Sequence, residues 1–270
     1  MKNWEDIEIR TDKWDALLDS IEKNRDYNPA CTLIDYWDKR MHQKIWKQVN
    51  SAGRLPYGFV GDGWPNRSSQ NWAIANDALG LTSAFPKYDY RDVGDAIYQA
   101  NILLEYLNIN PDKHYYIIDF GAGYGRLAIP FIYYYLGKMT YIGIDYAPVS
   151  LLIAPQFVAQ AIDAKCRSWD EDGDLKDFDF VSLPAWRINE LENIKADVFI
   201  TIHSFQEMTP QAVEFYVDFA HNHADKGTLF YSINLWPAYD YVKPSWNLIF
   251  DRPYPINRDG SFNEKLWRIE

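Results

Sequence analysis

Cysteine, long apolar runs and basic charge are all scarce in this sequence. The two cysteines, Cys31 and Cys166, provide neither a disulfide framework nor a metal cluster, since a structural zinc site needs four ligands at close spacing. A run of about 18 apolar residues, which a membrane-spanning helix needs, does not occur. Acidic residues number 38 against 27 basic ones, and the net charge of −11 repels a phosphate backbone. We therefore expect no membrane partner and no nucleic-acid partner.

The opening segment, MKNWEDIEIRTDKWD, places acids where a signal peptide needs a basic stretch and an apolar core. With so few cysteines, this predicts a soluble, cytoplasmic protein in a reducing compartment. Aromatic residues are instead abundant, because 11 Trp, 20 Tyr and 14 Phe make up 17% of the chain. Sugars and flat small molecules bind against such rings, although burial in a core is their commoner use.

The first ninety residues predict helices interrupted by one long loop. Apolar residues recur at helical spacing over 14–21 and again over 34–49. Residues 53–72 break that spacing with four glycines and two prolines, too many for a regular element. We interpret 1–92 as a helical extension that carries a lid loop, and 93–270 as a cofactor-binding domain.

From residue 114 onward, short apolar runs alternate with helical stretches. The predicted strands are 114–120, 139–145, 178–183, 196–203, 227–234, 247–251 and 262–269, and helices are predicted over 93–107 and from near Tyr124, Pro148, Ile188 and Thr209. Such alternation is typical of a buried parallel sheet covered on both faces. Right-handed crossovers then give an α/β, Rossmann-like, doubly wound fold. The last two strands, separated by Pro, Asn and Gly, predict a C-terminal antiparallel hairpin.

Glycines follow the first predicted strand in the segment DFGAGYGR, which begins at Asp119. Gly121, Gly123 and Gly125 let the backbone turn tightly and approach a ligand beside a helix N-terminus, while Pro130 should kink or delay that helix. A dinucleotide fingerprint needs its glycines in the first, third and sixth places, so this spacing disfavours nicotinamide. An acid followed by such a triplet resembles the first motif of class I S-adenosylmethionine-dependent methyltransferases. A tight turn without a ligand is the alternative.

The second strand ends at Asp145, twenty residues after Gly125, and Tyr146 follows it. An acid at this place accepts hydrogen bonds from both ribose hydroxyls in nucleotide-binding sheets. The resemblance implies that the end of the third strand, at Pro184, Ala185 and Trp186, contacts adenine. Because Pro184 replaces the acid usual in that class, adenine recognition falls to backbone groups and to the face of Trp186.

The fourth strand ends in the segment TIHSFQEMTP, residues 201–210. Carboxyl ends of strands line the ligand crevice, so His203 and Glu207 are predicted to point towards a bound cofactor. O-methylation needs a proton acceptor near the methyl group. His203 is the better candidate base, because imidazole titrates near neutral pH, and Glu207 orients it or binds a sugar hydroxyl. A structural hydrogen bond at a strand end is the alternative for either residue.

Four segments together resemble a bacterial sugar O-methyltransferase family: IIDFGAGYGRLA, IHSFQEMTP, the LFYSIN strand, and the helical leader with its YGFVGDGW loop. The resemblance implies S-adenosylmethionine as cofactor and a small, sugar-like hydroxylated acceptor. The cofactor-binding residues that it implies are Asp119, Gly121, Ala122, Gly123, Asp145, Tyr146, Pro184, Ala185, Trp186 and His203. No metal site is predicted, because the one dense acidic run, 171–174, lacks the calcium-loop pattern.

Two other functions stay open on the same fold. One is an enzyme that binds S-adenosylmethionine but catalyses a cyclisation or isomerisation without transferring the methyl group. The other is a non-catalytic binding protein, which a fold alone never excludes. Labelled cofactor separates the first from a methyltransferase, since only methyl transfer consumes the cofactor. Calorimetry with the cofactor separates the second, because a scaffold should release no heat.

Overall fold

A computed structural model describes residues 90–107, 109–135, 138–146, 148–235, 241–255 and 261–270. Nearly all of the predicted N-terminal extension lies outside the described residues, including its first two helices, its 53–72 lid loop and Cys31. Within the described ranges, no helix combines the length and the apolar character needed to cross a membrane.

Helices and strands alternate along most of the described chain. The α-helices are α1 Tyr90–Tyr106, α2 Ala128–Tyr135, α3 Pro148–Ile162 and α4 Pro210–Asn222. Short 3₁₀ helices are η1 Leu175–Asp177, η2 Ala185–Leu191 and η3 Phe205–Glu207. The strands are β1 Tyr115–Phe120, β2 Met139–Asp145, β3 Cys166–Arg167, β4 Phe180–Pro184, β5 Ala196–Ile202, β6 Ala224–Asn234, β7 Asn247–Pro253 and β8 Asn263–Arg268.

The described strands form one eight-stranded sheet in the order β3-β4-β2-β1-β5-β6-β8-β7. Strands β1 to β6 pair in parallel, and β8 pairs antiparallel with both β6 and β7. This confirms the predicted Rossmann-like, mostly parallel sheet with an antiparallel C-terminal hairpin. Strands β2, β4 and β3 lie on one side of β1 in the sheet, and the later strands, beginning with β5, lie on its other side. The switch between these two sides opens a crevice at the carboxyl ends of β1 and β5.

Both faces of the sheet are covered by apolar side chains. On one face, Ile117 of β1 belongs to a buried cluster with Phe131 of α2 and Val158 of α3. On the other face, Ile118 belongs to a second cluster with Val217 of α4. Fully burying an aliphatic side chain of this size stabilises a fold by about 1.5–3 kcal/mol. Burial on both faces explains why β1 reads as a continuous apolar run.

The helix after the glycine segment begins at Ala128 instead of near Tyr124. Gly125 has a φ of +81°, which lies outside the helical region and holds back the regular start. Pro130 therefore falls in the first turn of α2, where its missing N–H leaves no helical hydrogen bond unmade. The helix starts late, as expected, but the backbone of Gly125 accounts for the delay rather than Pro130.

Two other elements differ from the predicted ones. The α-helix predicted from near Ile188 is the 3₁₀ helix η2, whose buried residues are Ala185, Ile188 and Leu191. Their spacing of three matches a helix with three residues per turn, so the apolar pattern favours 3₁₀ geometry. Strand β3 was not predicted, because its two residues are too few to show a pattern.

A buried carboxylate ties the C-terminal hairpin to α1. Glu264 of β8 is fully buried, and its two oxygens accept hydrogen bonds from Tyr98 (2.8 Å) and Tyr231 (2.6 Å). Arg252 of β7 donates from Nε to Glu264 at 2.7 Å and from a terminal nitrogen to the Tyr98 hydroxyl at 2.9 Å. A buried charge costs little only while such partners remain.

We expect Glu264→Gln to lower the free energy of unfolding by about 3 kcal/mol, a typical cost of breaking a buried ion pair. The amide keeps one acceptor oxygen but turns an N–H₂ towards groups that now donate to the carboxylate. Glu270→Gln is the matched control, because the ion pair of Glu270 with Lys226 is solvent-exposed. Urea unfolding of the control should change by no more than about 0.5 kcal/mol, and equal losses would contradict the network.

Candidate active site

The glycine segment forms a tight loop at the carboxyl end of β1. Gly121, Gly123 and Gly125 all have positive φ, at +79°, +58° and +81°, a backbone conformation that favours glycine. The loop is fastened to β2, because the N–H groups of Gly121 and Ala122 both donate to the Ile144 carbonyl, at 2.8 and 3.2 Å. The backbone is thereby held close to the end of the neighbouring strand.

Gly121 and Gly123 differ in the space around them. A Cβ at Gly121 would overlap the Ser204 side chain, which follows β5. Among the described residues, a Cβ at Gly123 would meet no atom within 4 Å. The first glycine is therefore required by close packing across the switch point, whereas the second faces open space within the described part of the chain.

Asp145 lies beside this open space. Its carboxylate accepts a hydrogen bond from the Gly123 N–H at 2.9 Å. The bond joins the end of β2 to the glycine loop, so the structure brings together the two features that the sequence singled out. A half-buried carboxylate in this position can hold a ligand hydroxyl while it orients the loop.

Asp119, the acid that precedes the triplet, lies beneath the loop and is only 4% exposed. It accepts a hydrogen bond of 2.6 Å from Tyr141 of β2. Burial raises the pKa of Asp119 to about 7, and nearby Asp145 adds to the rise, while Tyr141 and Arg126 oppose it. Asp119 is thus a buried acid, bonded to β2, that changes charge near neutral pH.

The residues predicted to contact adenine lie on the other side of Asp145. Asp145 and Pro184 are paired in the register of β2 with β4, so both strands end at the same level. Ala185 is buried directly after β4. The Tyr146 and Trp186 rings meet edge to face, with centroids 6.0 Å apart, and Trp186 is 44% exposed. An exposed indole at this edge offers a flat surface to a planar ligand.

His203 follows β5 on the opposite wall of the crevice. Its φ of +56° is unusual for a residue with a side chain, and its N–H donates to the Ile233 carbonyl at 2.8 Å. The imidazole lies 4.3 Å from the Phe262 ring centroid and 6.3 Å from that of Tyr254. Burial lowers the pKa of His203 to about 4, with a further contribution from Arg126, so the ring is neutral at pH 7.

Asn234 holds the turn after β5, a role for which no local sequence pattern exists. Its Oδ1 accepts from the N–H groups of Ser204 and Phe205, both at 3.0 Å, and its Nδ2 donates to the Thr201 carbonyl at 2.9 Å. Ser204 in turn donates from Oγ to the Phe120 carbonyl at 2.7 Å. A fully buried asparagine at the end of β6 therefore connects the ends of three strands.

Glu207 ends η3, three residues after Ser204. Its N–H donates to the Ser204 carbonyl at 2.9 Å, and the residue is partly exposed. The following Thr209 caps α4, because its hydroxyl accepts from the Ala212 N–H at 3.3 Å, as the sequence predicts. Glu207 and His203 thus belong to one short turn that leads from β5 into α4.

The acidic run 171–174 lies in an exposed loop. Asp172 forms an ion pair with Arg187 at 3.1 Å, and Asp174 caps η1 by accepting from the Lys176 N–H. In the part of the chain that the structure describes, no three His, Cys, Asp or Glu side chains are grouped to hold a metal ion.

Comparisons with known proteins find no matching family model and no matching curated protein. Solved structures do match, among them TrmN from Thermus thermophilus, at 16% identity and a TM-score of 0.46, over 63% of this chain and 48% of that one. A candidate O-methyltransferase from Klebsiella pneumoniae matches at 10% identity and 0.47, over 77% and 92%. A candidate sarcosine dimethylglycine methyltransferase from Galdieria sulphuraria matches at 10% and 0.49, over 72% and 98%. This chain thus spans about half the length of TrmN. Identities and TM-scores this low do not assign the activity of any of these proteins to this chain.

We expect Gly121→Ala to destabilise the protein more than Gly123→Ala. A side chain at positive φ costs about 1–2 kcal/mol at either position, but only Gly121 adds an overlap, worth about 1–3 kcal/mol more. Urea unfolding measures both losses. Ser204→Gly should recover part of the Gly121→Ala loss, because it removes the overlapping atoms. Equal losses without such recovery would contradict the close contact.

Proposed function

We propose that this chain is an S-adenosylmethionine-dependent methyltransferase that methylates a hydroxyl of a small, sugar-like molecule. The observation that carries the proposal is the bond between the Asp145 carboxylate and the N–H of Gly123, beside open space at the carboxyl ends of β1 and β2. A carboxylate and a glycine backbone are thereby presented together to one ligand. This is what a nucleoside with a charged amino-acid end requires.

The residues around the crevice fit S-adenosylmethionine. The backbone of Gly121, Ala122 and Gly123 would hold its amino-acid end, and Asp145 its ribose. Tyr146, Pro184, Ala185 and Trp186 would enclose the adenine, with the exposed Trp186 ring as the flat contact surface. When bound, the cofactor supplies an electrophilic methyl group on a positively charged sulfur.

Asp119 adds an electrostatic contribution to this fit. Its pKa of about 7 leaves the carboxyl divided between its neutral and ionised forms near neutral pH. A positively charged ligand above the loop favours the ionised form. The buried acid therefore gains a negative charge as a cation binds, which strengthens the attraction from beneath the loop.

His203 is the proposed general base on the opposite wall. Within the described residues, no hydrogen bond reaches its imidazole, and the ring is neutral at pH 7. A neutral imidazole nitrogen can accept the proton of an acceptor hydroxyl as its oxygen attacks the methyl group. Glu207, at the end of the same turn, would orient the imidazole or bind a further hydroxyl of the acceptor.

The sugar-like acceptor is proposed from the sequence resemblance and from the aromatic content of the chain. Sugar rings present apolar C–H faces that bind against aromatic side chains. The net charge of −11 disfavours a nucleic-acid acceptor. A panel of hydroxylated small molecules, with sugars among them, is therefore the suitable first screen.

Asp145→Ala should weaken binding of S-adenosylmethionine about tenfold to a hundredfold, the cost of losing charge-assisted hydrogen bonds. The affinity of Asp145→Asn should lie between those of the wild type and Asp145→Ala, because the side-chain oxygen of asparagine can still accept a hydrogen bond from Gly123. Isothermal titration calorimetry measures the dissociation constants, with Asp170→Ala, in an exposed loop, as the control. Unchanged affinity in Asp145→Ala would remove Asp145 from the cofactor site.

His203→Asn should lower kcat by about a hundredfold to ten-thousandfold without weakening cofactor binding. Asparagine tolerates positive φ, so this variant removes the base and spares the turn. Because the pKa of His203 is lowered to about 4, wild-type kcat should stay level from about pH 5 to 8. Glu207→Gln should be milder if Glu207 only orients the imidazole. An unchanged kcat in His203→Asn would leave Glu207 as the base.

Methyl-labelled S-adenosylmethionine tests the reaction class. Label recovered in the acceptor supports methyl transfer. Conversion of the acceptor while all label stays in intact cofactor would identify a cyclase or isomerase, and absence of heat on titration with cofactor would indicate a protein without this cofactor site.

A further inference from the structure

Two aromatic rings of the C-terminal hairpin lie against His203. The Phe262 ring is nearly perpendicular to the imidazole, at 89°, with centroids 4.3 Å apart. Tyr254 lies farther away, at 6.3 Å and 71°. No sequence motif linked these residues to the crevice, because Phe262 stands almost sixty residues after His203 along the chain.

Backbone pairing fixes where these rings lie. Asn263, the first residue of β8, is the register partner of Asn234, the last residue of β6. Phe262 therefore stands just beyond the end of β6, over the turn that Asn234 holds. The Tyr254 N–H donates to the Phe262 carbonyl at 2.9 Å, which fastens the two residues to each other.

Tyr254 is also anchored from the opposite side. It is 2% exposed, and its hydroxyl accepts from Nε2 of Gln99 in α1 at 2.9 Å. Its ring meets that of Tyr98 edge to face at 5.9 Å. The pair of rings beside His203 is thus held by α1 as well as by the hairpin.

The imidazole itself depends on these contacts. The backbone of His203 is set by its bond to Ile233, but within the described residues no hydrogen bond holds the ring. Arg126 is the charged group that acts on it electrostatically, and it disfavours a second positive charge. The contacts with the Phe262 and Tyr254 rings restrict how the imidazole is oriented and how much water reaches it.

We propose that Phe262, backed by Tyr254, is a positioning residue that holds the His203 imidazole at the crevice and shields it from water. The catalytic consequence rests on the proposed function, whereas the positioning itself does not. The hairpin that closes the sheet then also forms part of the active site.

Nuclear magnetic resonance of the imidazole C–H groups tests the positioning without any substrate. The chain has five histidines, and the His203→Asn variant assigns the His203 signal by its loss. In Phe262→Ala, water gains access, and the pKa of His203 should rise from about 4 by at least about one unit. Phe262→Tyr should keep the wild-type value.

Phe250→Ala is the matched control. Phe250 lies in the same hairpin, but its ring contacts are with Tyr106 and Arg252. This variant should lose stability and leave the pKa of His203 unchanged. If Phe262→Ala moves that pKa no more than Phe250→Ala does, the positioning role is overturned.

Kinetics supply the second readout. Phe262→Ala should lower kcat roughly tenfold or more with little change in the KM for S-adenosylmethionine, and Phe262→Tyr should restore kcat. An unmoved kcat beside a moved pKa would overturn the catalytic part of the proposal. Absence of methyl transfer in the wild type would instead refute the proposed function, while the resonance measurement still decides the positioning.

Discussion

The close packing of Gly121 against Ser204 is the constraint on which the rest of the crevice depends. The carboxyl end of β1 must turn away where the end of β5 arrives, and only a residue without a Cβ leaves room for Ser204. Asn234 holds Ser204 in place from β6, and Ser204 bonds back to the end of β1. With the first glycine fixed in this way, the loop continues to Gly123, whose N–H reaches the Asp145 carboxylate. The proposed cofactor-binding residues and the proposed base therefore lie on two sides of one junction.

Burial favours the neutral form of both Asp119 and His203 at this junction. The pKa of His203 falls to about 4, so its contribution to stability is complete above about pH 6.5 and is lost as pH falls towards 4. The pKa of Asp119 rises to about 7, so its contribution is complete below about pH 3.8 and is lost as pH rises towards 7. Between about pH 4 and 6.5 the two slopes oppose each other. A neutral acid and a neutral base avoid the cost of burying two ions, and a bound cation reverses that balance at Asp119.

The sequence predicts those features of the structure that are determined by residues close together along the chain. Apolar runs predicted all the longer strands, and the glycine triplet predicted a tight turn after the first of them. Gly123 and Asp145 were each predicted to lie at the carboxyl end of a strand, but the hydrogen bond between them was not predicted. The role of Asn234, the hydrogen bond from Tyr141 to Asp119 and the contact of Phe262 with His203 could not be predicted. These depend on which strands become neighbours and in what register, and a single sequence carries no local pattern for either.

The antiparallel hairpin closes the sheet and also links the site to the helix before β1. Glu264 stands two residues beyond Phe262 on β8, and its buried carboxylate accepts from Tyr98 of α1. Gln99, the next residue of α1, donates to Tyr254, which is fastened to Phe262. One of these contacts from α1 reaches the Tyr254 ring directly, and the other reaches Glu264, two residues beyond Phe262. Because a buried carboxylate tolerates little displacement from its donors, the position of α1 and the position of the proposed base are set by the same network.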